Sequence, residues 1–274
     1  MKPIKKVLTL AGSDSSGGAG IQADLKTFQE RGVYGMTALT TIVTMDPDNG
    51  WAHGVYPIEL STVEEQLKTI LSIGIDGMKT GMLGSIDIIE LAARTIEKHG
   101  ITNVVVDPVM VCKGQDEALH PETNEALRDI LVPKATVVTP NLFEASQLAG
   151  IGPVRTLDDM KEAAARIHDK GTQYVLVKGG SKIGLPTSVD VLYDGREFEI
   201  LESDLIQTTY THGAGCTYSS AILAELAKGN DVHTSIRTAK RFITEAIRYS
   251  FPLNQYVGPL RHNGLRLVEQ GAEE

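Results

Sequence analysis

Four short runs of continuous apolar residues constrain the fold of this chain more than any other feature of its sequence. They occupy residues 7–11, 103–107, 136–139 and 174–178, and most of their members are valine, leucine or threonine. A strand with one exposed face alternates apolar and polar residues, whereas a run without alternation is typical of a strand covered on both faces. The sequence therefore predicts a parallel sheet covered by helices.

Helical patterns with recognisable ends lie between these runs. Residues 19–31 place Ile21, Leu25 and Phe28 on one helical face. Three further helix starts are predicted from the capping residues Ser61 with Glu64, Ser85, and Thr156 with Asp159. The segments 213–228 and 232–249 have the pattern of two final helices.

A tight β-hairpin is predicted at residues 192–196, because Asp194-Gly195 tolerates positive φ at both central positions. Strands that alternate with helices indicate an α/β fold with a mostly parallel, doubly wound sheet. No repeat, low-complexity tract or linker divides the chain, so we expect one domain over residues 1–274.

Charge and cysteine content exclude several classes of protein. A net charge of −9 is wrong for a nucleic-acid-binding protein, which carries a basic surplus. Only two cysteines, Cys112 and Cys216, argue against a disulfide scaffold and favour the reducing cytoplasm. No apolar stretch approaches 18 residues, and residues 7–11 are too short for a signal-peptide core, so no membrane association is expected.

A glycine-rich turn, residues 11–20, follows the first predicted strand and precedes the first helix. Such a turn brings backbone close to a ligand and directs helix N–H groups at it. Within it, Gly18-x-Gly20-x-x-Ala23 is a loose match to the dinucleotide-binding fingerprint. The alternative to ligand binding is that the glycines allow tight packing between strand and helix. For Asp14, the alternative is a structural role as a turn or capping residue.

A second turn of small residues, 211–217, opens a long predicted helix. Successive backbone N–H groups at a positive helix end suit an anion, most obviously the transferring phosphoryl group of ATP. The helix N-terminus would also lower the thiol pKa of Cys216. A plain helix start with a small buried thiol is the alternative.

Polar side chains also follow three of the predicted strands. Asn141 and Glu144 lie on one helical face, where they suit water around Mg²⁺ or serve only as a capping pair. Lys178 at a strand end is placed to neutralise a nucleotide phosphate, or it is a solvated lysine before a turn. Asp107 ends another strand and is a candidate for organising a metal or water.

Together these motifs resemble those of the ribokinase superfamily, in the branch of hydroxymethylpyrimidine and hydroxymethylpyrimidine-phosphate kinases. The matching segments run in family order and are residues 8–27, 79–83, 107–110, 139–145, 178–180 and 211–217. The resemblance implies a three-layer α/β/α fold, usually dimeric. It also implies transfer of the γ-phosphoryl group of ATP, with Mg²⁺, to a hydroxymethyl group on an aromatic ring.

The resemblance carries site residues with it. The substrate pocket would contain Gly12, Asp14, Ala19, Met45, Met82, Val109 and Cys112. ATP would be bound by Asn141, Lys178, Thr211, Gly213 and Gly215, and Mg²⁺ would be held by Asp107 and Glu144. The catalytic residues would be Gly213, Ala214, Gly215 and Cys216. Whether a monovalent cation takes part is left open.

Two positions depart from the pyrimidine-kinase pattern. Met45 stands where that branch usually has Gln or Glu, and a thioether is a poor hydrogen-bond partner for an aminopyrimidine. Cys112 stands in the lid region. Both features resemble a sub-branch of pyridoxal kinases with one cysteine in the lid and one in the anion-binding turn.

The resulting hypothesis is phosphorylation of the 5′-hydroxyl of pyridoxal, pyridoxine or pyridoxamine. Cys216 would accept the hydroxyl proton and position the substrate, or add to the pyridoxal aldehyde as a hemithioacetal. Two alternatives stay open: a hydroxymethylpyrimidine or hydroxymethylpyrimidine-phosphate kinase of thiamine synthesis, and a dinucleotide-binding oxidoreductase based on residues 18–23.

Overall fold

The structure is a computed structural model that describes residues 3–110 and 121–271. Within these ranges the strands are β1 (Lys6–Asp14), β2 (Tyr34–Asp46), β3 (Ala52–Pro57), β4 (Gly77–Thr80), β5 (Val104–Val106), β6 (Val137–Val138), β7 (Tyr174–Gly180), β8 (Ser188–Tyr193) and β9 (Phe198–Ser203). The helices are α1 (Gly20–Glu30), α2 (Leu60–Ile73), α3 (Ile86–His99), α4 (Pro121–Ala126), α5 (Leu142–Ala149), α6 (Leu157–His168), α7 (Ala214–Ala227), α8 (Val232–Arg248) and α9 (Gly264–Glu269). A π-helical turn, Leu127–Leu131, and a 3-10 turn, Val132–Lys134, follow α4.

Contacts between residues divide the chain into two compact units. The first unit contains the residues up to Leu83 and those from Ile206 onward, and the second contains Gly84–Leu205. The expectation of one domain over residues 1–274 stays a prediction.

The first unit is built on the strand order β3-β2-β1-β4. β1 pairs in parallel with both β2 and β4, whereas β3 runs antiparallel along the edge of β2. Residues 7–11 of β1 are all buried, as their continuous apolar run predicts. Helix α7 is enclosed around its whole circumference, since Thr217–Ala227 are all buried.

The second unit has the strand order β5-β6-β7-β8-β9. The first three strands are parallel, and β8 and β9 extend them as an antiparallel hairpin. The runs predicted at 103–107, 136–139 and 174–178 all became buried strands, although β6 is only two residues long. The prediction of a mostly parallel α/β sheet with a late hairpin is confirmed, and the antiparallel strand β3 is an addition that it did not contain.

Most predicted helix ends agree with the structure. Ser85 caps α3 by accepting the Ile88 N–H, and Thr156 with Asp159 forms a reciprocal capping box at α6. The capping box predicted from Ser61 and Glu64 is wrong, because the N-cap of α2 is Glu59, two residues before Ser61, and it makes no side-chain cap.

The hairpin between β8 and β9 turns differently from the prediction. Its loop spans residues 194–197, and only Gly195 has positive φ, at 90°. Asp194 instead uses its carboxylate to accept the N–H groups of Arg196 and Glu197. The aspartate therefore acts through its side chain, as is common in turns, and not through a left-handed backbone.

No helix among the described residues has the length and hydropathy needed to cross a membrane.

Candidate active site

The end of β1 packs so tightly that a side chain is excluded from it. A Cβ atom on Gly12 would lie 2.8 Å from Cγ2 of Thr41 in β2 and 3.8 Å from Cβ of Met82, just after β4. The Thr40 hydroxyl donates to the Met82 carbonyl over 2.6 Å, which fixes this segment against β2. Two predicted pocket residues, Gly12 and Met82, therefore come together where neighbouring strands of the first unit end.

Asp14 stabilises the glycine-rich loop from within. Its carboxylate accepts the backbone N–H groups of Ser16 and Ala19, each over 2.8 Å, and lies 2.7 Å from Nε2 of His212. Burial opposes ionisation of Asp14, but the hydrogen bonds from His212 and Ser16 and the charge of His212 outweigh it, so its pKa falls well below its ordinary value. The alternative of a turn-stabilising residue accounts for these contacts of Asp14.

The anion-binding turn lies directly against this loop. Gly213 has a φ of 83°, and a Cβ atom there would collide with the carbonyl oxygen of Gly18 and approach Cα of Ala19 to 3.2 Å. Gly18 likewise has no room for a side chain, because His212 and Pro259 occupy that space. Both glycines are therefore required by close packing between the two turns.

Helix α7 begins without a side-chain cap, since its N-cap residue is Gly213. The Ala214 N–H is donated to the Thr211 carbonyl over 3.1 Å, so that amide is already used within the turn. Gly215 and Cys216 follow in the first turn, partly exposed, where the positive end of the helix dipole favours an anion. Exposed Thr211 contributes its carbonyl to the turn.

His262 is a part of this site that the sequence did not reveal. Its Nε2 lies 3.1 Å from the hydroxyl of Thr217, in the first turn of α7. Burial, helped by the charge of Lys26, lowers the pKa of His262 to about 4, so the imidazole is neutral at pH 7. Forty-five residues separate His262 from Thr217, and no local pattern could have joined them.

Met45 lies on β2 opposite His53 of β3 and is half-buried. Burial and the charge of His212 lower the pKa of His53, and Asp14 partly opposes them. The charges of the buried Asp14–His212 pair therefore reach His53.

The second unit brings four other predicted residues together. The Lys178 ammonium lies 3.1 Å from the Asp107 carboxylate, and the main chain of Lys178 bridges to Asn141. Asn141 and Glu144 form a complete capping box at α5, with hydrogen bonds of 2.8 and 2.9 Å. The capping box is therefore present, and one oxygen of Glu144 lies outside it.

Burial changes the ionisation of Glu144 in this cluster. Its burial raises its pKa to about 7; Lys178 and N–H groups of Asn141 and Met110 lower it, and Asp107 raises it. Asp107 and Glu144 are 2% and 4% exposed. Two buried carboxylates therefore share one ammonium group, and a bound cation would relieve the excess negative charge.

No group of three or more His, Cys, Asp or Glu side chains suited to a metal occurs in the ranges that the structure describes. A cation here would therefore depend on ligands from elsewhere, such as water and phosphate. Val109 is half-buried two residues after Asp107. Cys112, the predicted lid cysteine, lies outside the described residues.

The fold belongs to the ribokinase-like α/β class, with a mostly parallel mixed sheet and helices on both sides. Residues 14–261 match the family model described as phosphomethylpyrimidine kinase, and the chain belongs to this family.

Individual relatives are similar over nearly the whole chain. A pyridoxine kinase of Bacillus subtilis (strain 168) is 63% identical over 268 residues, which are 97% of this chain and 99% of the relative. The ADP complex of Bacillus subtilis pyridoxal kinase has a TM-score of 0.94 at 62% identity, covering 97% of this chain and 100% of that one. Staphylococcus aureus pyridoxal kinase with AMP-PCP and pyridoxal has a TM-score of 0.90 at 49% identity, covering 96% and 95%.

Proposed function

We propose that the protein is a kinase that transfers the γ-phosphoryl group of ATP to the 5′-hydroxymethyl group of pyridoxal, pyridoxine and pyridoxamine. The observation that carries this proposal is the contact of Gly213 with Gly18 and Ala19, which sets the uncapped start of α7 against the glycine-rich loop. An alcohol bound at the loop would meet a phosphoryl group bound at the helix end. The likeness to kinases that bind AMP-PCP and pyridoxal supports the same substrates.

Mg²⁺ bound with ATP would neutralise charge on the β- and γ-phosphates. The cluster fits it, because Asp107 and Glu144 offer carboxylate oxygens, the ligands this ion prefers, with room in its shell for waters and phosphates. We assign Lys178 to a nucleotide phosphate and Asn141 to the nucleotide. The N–H groups at the start of α7 would stabilise negative charge on the phosphoryl group as it moves.

Cys216 is the residue of the turn best suited to proton transfer. We assign its thiolate to positioning the alcohol and accepting its proton, and a hemithioacetal with the aldehyde of pyridoxal is the second role it could have. Positioning dominates phosphoryl transfer, so a weak base suffices.

Kinetics of Cys216→Ala and Cys216→Asp test this assignment. A base role predicts that the alanine variant loses kcat on both pyridoxal and pyridoxine, whereas an aldehyde adduct predicts a loss on pyridoxal alone, since pyridoxine has no aldehyde. Wild-type kcat for both variants on both substrates would remove the thiol from the chemistry.

A hydroxymethylpyrimidine or hydroxymethylpyrimidine-phosphate kinase is the second candidate, favoured by the family model itself. Met45 argues against it, because its thioether replaces a hydrogen-bonding side chain. Measuring kcat/KM on pyridoxal and on hydroxymethylpyrimidine decides between them, and a higher value on the pyrimidine would overturn our proposal.

The match to a kinase family over residues 14–261 argues against the oxidoreductase hypothesis. A Cβ atom on Gly18 would collide with His212, and one on Gly20 would collide with the Gly12 carbonyl. The packing alternative for this motif therefore explains both glycines.

A reaction that uses ATP and a thiol fits the reducing cytoplasm, and we place the protein there. The homodimer and a monovalent cation remain proposals, which light scattering and potassium-dependent kinetics test.

A further inference from the structure

A buried carboxylate lies at the junction of four elements of the first unit. Asp24 of α1 accepts hydrogen bonds from the Thr9 hydroxyl on β1 (2.6 Å), the Lys79 ammonium on β4 (2.6 Å) and the Ser220 hydroxyl on α7 (2.7 Å). All four side chains are completely buried.

Asp24 and two of its partners, Lys79 and Ser220, each lie near a part of the candidate site. Asp24 lies one turn into the helix that follows the glycine-rich loop. Lys79 precedes Met82 by three residues, and its ammonium would lie 3.9 Å from a Cβ atom on Gly81. Ser220 is four residues after Cys216, so the two lie on the same face of α7, one turn apart.

Stability alone gives little reason for such a pair. Burying two charges costs several kcal/mol, and well-packed apolar residues are often as stable or more so. What an ion pair adds is a fixed geometry between the elements that carry it, which is useful where reacting groups must be held in place.

We propose that the Asp24–Lys79 pair is a positioning device for phosphoryl transfer, and that through Ser220 it sets the place of the first turn of α7 relative to the substrate loop. The inference rests on the proposed kinase function and deepens it. Neither Asp24 nor Lys79 touches a reacting atom in this scheme; both act through α7.

Thr9 provides a matched control, because it donates to the other oxygen of the same carboxylate. β1 is held by ladder hydrogen bonds to β2 and β4 on its two sides, so losing the Thr9 hydroxyl leaves the strand in place. The start of α7 has no ladder to hold it. Thr9→Val and Ser220→Ala therefore each remove one buried hydrogen bond, but only the second removes a hydrogen bond that ties α7 to α1.

The first experiment measures kcat, KM and melting temperature of these two variants with pyridoxal and ATP. We expect both melting temperatures to fall, kcat to drop about ten-fold in Ser220→Ala with KM within about two-fold, and kcat of Thr9→Val to stay within about two-fold of wild type. An unchanged kcat in Ser220→Ala, or an equal loss in Thr9→Val, overturns the inference.

A second comparison tests the ion pair itself against another pair that joins the same helices. Arg31, the C-cap of α1, binds Glu225 of α7 over 2.5 Å, five residues further along α7 than Ser220. The charge-neutral double variant Asp24→Asn/Lys79→Met should lose kcat, whereas Arg31→Met/Glu225→Gln should lose only stability.

Full kcat in the Asp24–Lys79 double variant would show that the pair has no positioning role. Wild-type turnover of pyridoxal separates the two hypotheses. If the wild type is active and the variants match it, only the positioning role of the Asp24–Lys79 pair is wrong. If the wild type phosphorylates no vitamin B6 alcohol, the proposed kinase function is wrong and the positioning role is wrong with it.

Discussion

At the scale of single residues, the pKa of Glu144 has a consequence for stability. Burial raises it from an ordinary 4.5 to about 7, so the folded protein retains a proton that the unfolded chain releases. The stabilisation is complete below about pH 4.5 and is lost as pH rises through about 7. Folding with an ionised Glu144 therefore lowers stability at neutral pH.

Glu144→Gln should remove this dependence, because an amide does not titrate. We expect the melting temperature of the variant minus that of wild type to become more positive between pH 5 and pH 8, measured in EDTA without nucleotide. Asp159→Asn is the control: capping hydrogen bonds keep the pKa of Asp159 below 3.8, so its difference should be the same at both pH values. A flat difference for Glu144→Gln contradicts the prediction.

Met45 should control the choice of acceptor. Met45→Gln restores a hydrogen-bonding side chain, so we expect the ratio of kcat/KM on hydroxymethylpyrimidine to that on pyridoxal to rise about ten-fold. Its neighbour Thr44 lies on the opposite face of β2, and Thr44→Gln should leave the ratio unchanged. Equal ratios in wild type and Met45→Gln would mean that another residue selects the substrate.

At the scale of elements, two left-handed glycines bracket α7 and differ in their surroundings. Gly213 at the start would bring a Cβ atom into Gly18, whereas Gly229, with a φ of 93°, has no atom within 4 Å of such a Cβ. The two positions share the same backbone strain for any other residue, about 1–2 kcal/mol. Only the first adds a collision within the candidate site.

Gly213→Ala should therefore abolish most activity, while Gly229→Ala should lose about 1 kcal/mol of stability and retain kcat. Steady-state kinetics and urea unfolding measure the two effects. A Gly213→Ala enzyme with wild-type kcat would show that the turn does not need its close contact with the loop.

Elements were predictable where the signal is local. The buried runs around Val7 and Val105 form strands, and Ser85 and Thr156 cap helices as expected. Strand burial and helix capping are predictable because they depend on residues close together in the sequence. The prediction from Ser61 failed because α2 begins before this residue, so that the capping pattern lies within the first turn of the helix.

The candidate site was only partly predictable for the same reason. Motif order indicated Gly12, Met82 and the Gly213 turn; the structure places Gly12 beside Met82 and the Gly213 turn against Gly18 and Ala19. The partners of these residues are distant in sequence: Asp14 meets His212 across 198 residues, and Asp24 meets Ser220 across 196. Such pairs depend on the folded topology, which no single local pattern contains.

At the scale of the whole molecule, ligands should stabilise the protein by mass action. A ligand at a hundred times its Kd adds about 2.7 kcal/mol to the free energy of unfolding, or about 5 °C in melting temperature for a chain of this size. We expect the shift caused by AMP-PCP to require Mg²⁺, because the proposed function assigns a cation bound with ATP to the Asp107–Glu144 cluster. The shift caused by pyridoxal should survive EDTA, because the proposed function assigns that cation to the nucleotide.

Thermal unfolding with each ligand, with and without EDTA, checks this expectation. Lys178→Met should reduce the nucleotide shift and leave the pyridoxal shift intact. The assignment of ligands fails if EDTA removes both shifts, or if Lys178→Met reduces the pyridoxal shift as much as the nucleotide shift.

The enclosure of α7 bears on how such enzymes diverge. Because the helix is packed on every side from Thr217 to Ala227, few single substitutions there can be accommodated by the surrounding residues. The half-exposed strands β2 and β3 are under no such constraint. New acceptor preferences among related enzymes should therefore arise from substitutions in β2 and β3, while the residues that transfer the phosphoryl group stay unchanged.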